Sequence, residues 1–236
     1  MILDVFTQGA LEMSGTPIEP IASQAMWGDL LVNRILAAVA IVILIIDLTD
    51  IFDLFPHIKD CIIRSRGNIS LEHSVSIARS RNFAAAALAL PFCLVADRFR
   101  LYNPAFWQHI PQGWSAPATI GVLVALVLLM AIIYALTPLR HMSSEDSEAM
   151  HRSSFTYFIV LSIIVLATVG IMYLCKKDDS VIRSWIYWET GIVYLFSLLR
   201  AGQILAADYS GLGTFLYLCA LKILAPGILV ASAFVL

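Results

Sequence analysis

The sequence predicts an all-α protein, a bundle of about six helices that crosses a membrane. Of its 236 residues, 60% are hydrophobic and only 14% are charged, whereas a soluble domain carries about 25% charged residues. Several apolar stretches approach about 20 residues, the length at which a helix spans a hydrocarbon core of about 30 Å. The polar segments between these stretches are too short to form a separate soluble domain.

Residues 1–28 are predicted to form an extracytoplasmic N-terminal arm. They contain no Lys or Arg and no continuous apolar run, so they do not resemble a removable signal peptide. Asp4, Glu12 and Glu19 make the arm acidic. The arm is therefore expected to lie outside the membrane, ahead of the first span.

The spans are predicted from apolar runs that end at charged residues, prolines or turn residues. Pro91 lies inside the second span and predicts a kink there, and alanines at 84–87 offer a small-residue face for close helix packing. Pro138 ends the third span, and a turn at 208–213 joins the last two. The predicted spans are residues 30–47, 82–100, 118–137, 155–174, 184–207 and 214–236.

The orientation is predicted from the basic segment at residues 50–81. This segment is the most basic part of the chain, with Lys59, Arg64, Arg66, Arg79 and Arg81. Because cytoplasmic loops carry an excess of Lys and Arg, we expect it to be a cytoplasmic loop. Six crossings then place both termini on the extracytoplasmic side of a bacterial inner membrane. If the second span did not cross, every later segment would be inverted.

Ionisable residues at membrane depth are costly and therefore indicate function. By helical rise, Arg200 and Lys222 lie at similar depth, while Glu189 lies about 10 Å or more nearer the outside. Two cations beside one acid suit an anionic group, such as a lipid phosphate or a carboxylate. Alternatively, the same side chains bind carbonyls and tyrosines inside the bundle, or contact another subunit. The candidates for a ligand or polar pocket are Glu189, Tyr194, Arg200, Gln203, Tyr217 and Lys222.

A second candidate site follows the first span. Asp50, Asp53 and His57 share one face if the helix continues past the membrane, and they could then bind a divalent metal. Pro56 disfavours a helical Phe55 and so weakens this arrangement. The solvated face of an amphipathic helix at the cytoplasmic interface explains the same pattern, and it is the preferred interpretation.

Motifs of other chemistries are absent from the sequence. It has no Walker A loop, His-Glu-x-x-His helix or Gly-x-Ser-x-Gly elbow, and its four cysteines form no Cys-x-x-Cys pair. No His or Lys is expected to face Ser153, Ser154 or Ser162 of the fourth span, so no intramembrane serine protease is predicted. Neither a catalytic residue nor a cofactor is therefore predicted. The net charge of −2 gives no electrostatic footprint for nucleic acid.

The C-terminal third carries a recognisable pattern. Arg200 precedes a Leu-Tyr-Leu-Cys segment at 216–219, which Pro226 follows. This resembles an uncharacterised family, a domain of unknown function, of polytopic inner-membrane proteins from Bacteroidota bacteria. In that family an acidic residue stands where this chain has Lys222, and Ala225 is inserted here before the proline. The resemblance covers roughly the last 50 residues and, loosely, residues 80–104. It implies six membrane helices and no assigned activity.

Three functions remain open at this point. The first is a non-enzymatic subunit or accessory of a larger cell-envelope assembly, with the lipid bilayer and other membrane or envelope proteins as partners. The second is a transporter or flippase for a small or lipidic anion that uses Arg200 and Lys222. The third is a metal-dependent membrane enzyme at the cytoplasmic face.

Overall fold

The structure is a computed structural model that describes residues 27–63, 75–104, 107, 109–137 and 144–235. These residues form helices and turns without a strand, which confirms the all-α prediction for this part of the chain. The predicted N-terminal arm lies outside the described residues, apart from two positions. The helices are α1 (Leu31–Ile63), α2 (Val75–Arg98), α3 (Ser115–Leu136), α4 (Ser144–Leu174), α5 (Asp179–Asp208), α6 (Gly211–Leu218) and α7 (Leu224–Val235), with a π-helical turn (Cys219–Ile223) joining α6 to α7 and short 3-10 turns at Trp27–Asp29 and Gln112–Trp114.

Five segments of the described chain are long and apolar enough to cross a bilayer. These segments are Leu31–Ile62, Ser115–Leu136, Met150–Leu174, Asp179–Asp208 and Gly211–Ala233. Apolar side chains on their outer faces are exposed, for example Val124, Leu128 and Ile132 on α3. An apolar surface of this extent requires lipid around it. The chain is therefore a multi-pass membrane protein in contact with the lipid bilayer.

The second predicted span, residues 82–100, overlaps α2, which is the central helix and is not among these five segments. It packs against α1, α3 and α4, and the predicted small-residue face is buried at Ala84, Ala85 and Ala87. With 24 residues, α2 is about 36 Å long. It carries charges near both ends, which set it apart from the five apolar segments. Because other helices surround α2, it can carry more polar residues than a lipid-facing helix.

Helix α1 extends well beyond the first predicted span. Its 33 residues include Phe55 and Pro56 in helical conformation, and they make a helix about 50 Å long. Ile51, Leu54 and Ile58 recur every three or four residues and pack against small residues of α2. This apolar stripe continues the helix to residue 63, so the segment predicted as a basic loop at residues 50–81 is helical at 50–63 and 75–81, and residues 64–74 lie outside the described residues.

Contacts at one end of the bundle show where the chain enters and leaves it. Trp27 before α1 contacts Asp97 at the end of α2, and Asp97 contacts Ser115 at the start of α3. Tyr102 and Ser232 join through a 2.8 Å hydrogen bond, so the end of α7 lies beside the end of α2. The start of α1 and the end of α7 therefore lie on the same side of the bundle.

Candidate functional site

Lys222 lies in the π-helical turn between α6 and α7, and the sequence explains why the helix changes there. Pro226 has no amide N–H, so the α-helical hydrogen bond to the carbonyl four residues earlier, that of Lys222, cannot form. Within the turn, the Leu224 N–H bonds to the Cys219 carbonyl, five residues back. The Tyr194 hydroxyl on α5 donates instead to the Lys222 carbonyl at 2.9 Å. Such π turns are frequent at functional sites.

The Lys222 side chain is buried, with 3% of its surface exposed. Its Nζ lies 3.2 Å from the Met150 carbonyl, 3.4 Å from Ser153 Oγ and 2.5 Å from Ser154 Oγ. The ring centroid of Tyr134 on α3 lies 5.9 Å from Nζ. Three oxygens thus match the three N–H groups of an ammonium. No carboxylate forms an ion pair with Lys222 in the described part of the chain.

This arrangement corrects one sequence-based expectation. We expected no Lys or His to face the serines of the fourth span, yet Lys222 contacts both Ser153 and Ser154. The expectation was wrong because it depended on which faces of α4 and α6 meet. A π turn holds one residue more per turn than an α turn, so it rotates the faces that follow.

Arg200 on α5 occupies a different environment. Its Nη2 donates to the carbonyls of Cys61 at 2.6 Å and Ile62 at 3.1 Å, and its Nη1 donates to Gln203 Oε1 at 2.9 Å. The last carbonyls of a helix have no partner within the helix, and the helix dipole favours a cation there. Arg200 therefore caps the C-terminus of α1 and ties it to α5.

Two other pocket candidates, Glu189 and Tyr217, have described contacts with neither Lys222 nor Arg200. Glu189 accepts a 2.5 Å hydrogen bond from Thr168 of α4, and its other oxygen is buried without a hydrogen-bond partner among the described residues. Thr168 lies in the opposite half of α4 from Ser153 and Ser154, in keeping with the depth expected for Glu189. Tyr217 stacks near Tyr209, with ring centroids 4.7 Å apart. Of the six candidates, the described contacts join Tyr194 to Lys222 and Arg200 to Gln203.

The metal candidates lie along the cytoplasmic extension predicted for the first span. Asp50, Asp53 and His57 line a cavity of about 130 Å³ between α1 and α2, together with Ser76 and Ser80. Both carboxylates are exposed. Within the described ranges, no group of three His, Cys, Asp or Glu side chains is placed to hold a metal ion. Asp50 and Asp53 therefore form the acidic wall of a small polar cavity.

Asp97 is a buried site that the sequence analysis missed. Its carboxylate is 8% exposed and accepts hydrogen bonds from Trp27 Nε1 at 2.6 Å, Ser115 Oγ at 3.1 Å and Thr119 Oγ1 at 3.3 Å. Ser115 begins α3, so the carboxylate also lies where a helix dipole favours an anion. The available signal was an acid at the end of one span with Ser and Thr four residues apart at the start of the next.

A groove on the outer face of α5 was also missed. It has a volume of about 650 Å³, is widely open, and is lined by Ser180, Val181, Ser184, Trp185, Trp188 and Ile192. The signal in the sequence was a pair of small residues, Ser180 and Ser184, at a spacing that places them on one helix face.

Comparisons with known proteins give no relative for this chain. No family model, curated protein or solved structure matches it. The resemblance to an uncharacterised family of Bacteroidota bacteria therefore stays a prediction.

Proposed function

We propose that this protein is a subunit or accessory of a larger cell-envelope assembly and that a transmembrane helix of its partner binds along α5. The observation that carries the proposal is the open groove of about 650 Å³ on the outer face of this helix. The opposite face of α5 is occupied within the chain, since Ile182, Ile186 and Val193 are buried. The groove is the face left for another molecule.

The residues of the groove suit a helix better than lipid tails. Ser180 and Ser184 are small and one turn apart, which lets a second helix backbone approach closely, and their hydroxyls can bond across the contact. Trp185 and Trp188 border the groove with 52% and 70% of their surfaces exposed. Large aromatic side chains dominate the energetics of protein interfaces. Tryptophan also marks the lipid interface, so the test must separate the two.

Helix α3 supplies the comparison for that test. Val124 and Leu128 on α3 are 51% and 58% exposed, much like the tryptophans of α5. Neither residue lines the groove. If exposure to lipid alone explained the α5 surface, the two helices would behave alike in a crosslinking experiment.

The experiment places a photo-crosslinking amino acid at position 188 or, as the control, at position 128 in native membranes. We expect a discrete adduct of defined mass from position 188 and none from 128. In a second variant, Ser184→Leu fills the groove and abolishes the adduct while the amount of protein is unchanged. An adduct of twice the chain mass identifies a second copy as the partner. Equal adducts from both positions, or none from either, contradict the proposal.

We propose that the assembly lies in a bacterial inner membrane, with both ends of this chain on the extracytoplasmic side. Three buried cations, Arg81, Arg200 and Lys222, lie where α1 and α5 end and α2 and α4 begin. Exposed Lys59 and Arg79 lie on the same side. The density of cations at residues 50–81 supports the cytoplasmic side for this end, since the opposite end carries its six cations in several separate segments. Labelling of Cys175, at the opposite end, from outside the cell tests the orientation.

The contacts of the buried cations do not favour the transport hypothesis. Arg200 and Lys222 direct their N–H groups at carbonyl, amide and hydroxyl oxygens of the protein itself. An anion would have to displace these oxygens. The subunit proposal requires no such rearrangement.

A further inference from the structure

We propose that Ser154 and Lys222 form a nucleophile and base pair that cleaves carboxylic esters at the membrane interface. This site is separate from the groove on α5, so the inference goes beyond the subunit proposal and does not depend on it. The pair comes from α4 and the π-helical turn, which meet at a distance of 2.5 Å between Ser154 Oγ and Lys222 Nζ.

The two neighbouring serines differ in where their hydroxyl protons go. Ser153 donates to the Met150 carbonyl at 2.7 Å and is thus held by its own helix backbone. Ser154 has Lys222 as its hydrogen-bond partner in the described part of the chain. The Ser154 hydroxyl is therefore the one whose proton an amine can take, and Ser153 is its natural control.

The surroundings of Lys222 fit the role of a base. A neutral amine has two N–H donors and one lone pair, so the same three contacts are satisfied when Ser154 donates to Nζ and the other two oxygens accept. Lys222 is buried next to an apolar cluster that includes Leu221 and Met150, and it has no carboxylate partner among the described residues. Lysines in dry surroundings of this kind serve as general bases and activate serine in known dyads.

Tyr134 supplies the third group that ester cleavage needs. Its hydroxyl is buried and has no hydrogen-bond partner within the described ranges, and its ring centroid lies 5.9 Å from Lys222 Nζ. A tetrahedral intermediate carries a negative oxygen that requires a hydrogen-bond donor. We assign that role to the Tyr134 hydroxyl.

The depth of Ser154 selects the class of substrate. Ser154 is half-buried and lies near the start of the apolar segment Met150–Leu174, hence at the border between hydrocarbon core and head groups. Acyl esters of membrane lipids have their carbonyl groups at this border. The substrate is accordingly a carboxylic ester, from a lipid or from a smaller ester dissolved at the interface.

The reaction balances without a cofactor. Ser154 Oγ attacks the ester carbonyl while its proton passes to Lys222 Nζ. The carbon–oxygen bond to the alcohol then breaks, and Lys222 returns the proton to the departing alcohol, which leaves an acyl group on Ser154. Water attacks this acyl group and gives a proton to Lys222, the bond to Ser154 Oγ breaks, and Ser154 regains a proton. The products are an alcohol and a carboxylic acid.

The test uses the full chain in lipid nanodiscs and two fluorophosphonate probes, one with a long alkyl chain and one with a short chain. Peptide mapping identifies the labelled residue. We expect an adduct on Ser154 that disappears in Ser154→Ala and persists in Ser153→Ala. Tyr134→Phe is expected to slow labelling by about 10²–10³-fold, and Lys222→Met by about 10²–10⁴-fold. Thermal unfolding of each variant is measured alongside, and the serine pair decides the result even if Lys222→Met does not fold.

Each outcome decides a point. Faster labelling by the long-chain probe assigns a lipid ester, and equal rates assign a small ester. An adduct on another residue, no adduct with either probe, or equal loss of labelling in both serine variants overturns the proposal. None of these results bears on the α5 contact, which the crosslinks measure separately.

Discussion

The bundle buries an acid and a base in contrasting ways. Asp97 ends α2 beside the start of α3 and binds three neutral donors, one from the turn before α1 and two from α3. Lys222 lies in a π-helical turn, and its oxygens come from the interior of α4. Neither residue forms an ion pair with another described residue. The two environments nevertheless differ in whether a helix dipole stabilises the charged form of the side chain.

The difference concerns the helix dipoles. An N-terminus stabilises the Asp97 carboxylate, and a C-terminus likewise stabilises the Arg200 guanidinium. Among the described residues Lys222 Nζ contacts no helix end, and the Met150 carbonyl that it contacts already accepts a hydrogen bond from Ser153. Helix dipoles thus stabilise the buried charges of Asp97 and Arg200, whereas no helix dipole among the described residues stabilises a charge on Lys222. A buried ionisable group that the fold does not support is the one expected to perform chemistry.

The largest effect on stability is expected at Asp97. Asp97→Ala removes three hydrogen bonds to a charged group and leaves the Trp27 indole and two hydroxyls without their acceptor, so it should lower the free energy of unfolding by about 3–5 kcal/mol. Denaturant-induced unfolding in detergent micelles measures this. Asp179→Ala is the control, because the exposed pair of Asp179 with Arg98 contributes about 1 kcal/mol or less. Equal losses in the two variants would contradict the role of Asp97.

Arg200 should have the next largest effect. Arg200→Met leaves the Cys61 and Ile62 carbonyls at the end of α1 without this cap, and we expect a loss of about 2–4 kcal/mol. The same unfolding measurement applies, with Arg183→Met as a control at an exposed position of the same helix. A loss no greater than that of the control would show that Arg200 does not cap α1.

Lys222 should have the smallest effect on stability. Lys222→Met removes the amine that the Ser154 hydroxyl contacts, while Ser153 keeps its bond to the Met150 carbonyl, so we expect the free energy of unfolding to fall by about 1–2 kcal/mol. Loss of labelling at Ser154 with an unchanged fold would then separate chemistry from stability. A destabilisation as large as that of Asp97→Ala would make Lys222 a structural residue and remove the contrast.

The fold was predictable because hydropathy reports lipid contact. The five apolar segments all overlap predicted spans. The crossing predicted at residues 82–100 stays a prediction, although α2 is helical there and its alanine face is buried. The continuation of α1 beyond residue 47 was harder to predict, because Pro56 argued against it. Tertiary packing of Ile51, Leu54 and Ile58 against α2 outweighs the local preference.

The candidate site was predictable only in part. The depth rule selected Lys222 and Arg200 correctly as buried cations, since charge in an apolar run is visible in the sequence. Their partners were not visible, because the rotation of α4 against the π turn decides that Ser154, rather than an acid, meets Lys222. Asp97 escaped notice since it lies at the end of a span, where a charge is ordinarily exposed.

One native thiol can distinguish the two ends of the bundle in intact cells. Cys175 is exposed between α4 and α5, at the end of the bundle where Arg98 pairs with Asp179, whereas Cys61 and Cys93 are buried. The proposed orientation, with six crossings and the cation end in the cytoplasm, predicts that a membrane-impermeant maleimide labels Cys175 from outside and that Cys175→Ser abolishes the label. Labelling of Cys175 only after the inner membrane is opened would contradict the orientation, and recovery of the protein without detergent would contradict the membrane bundle itself.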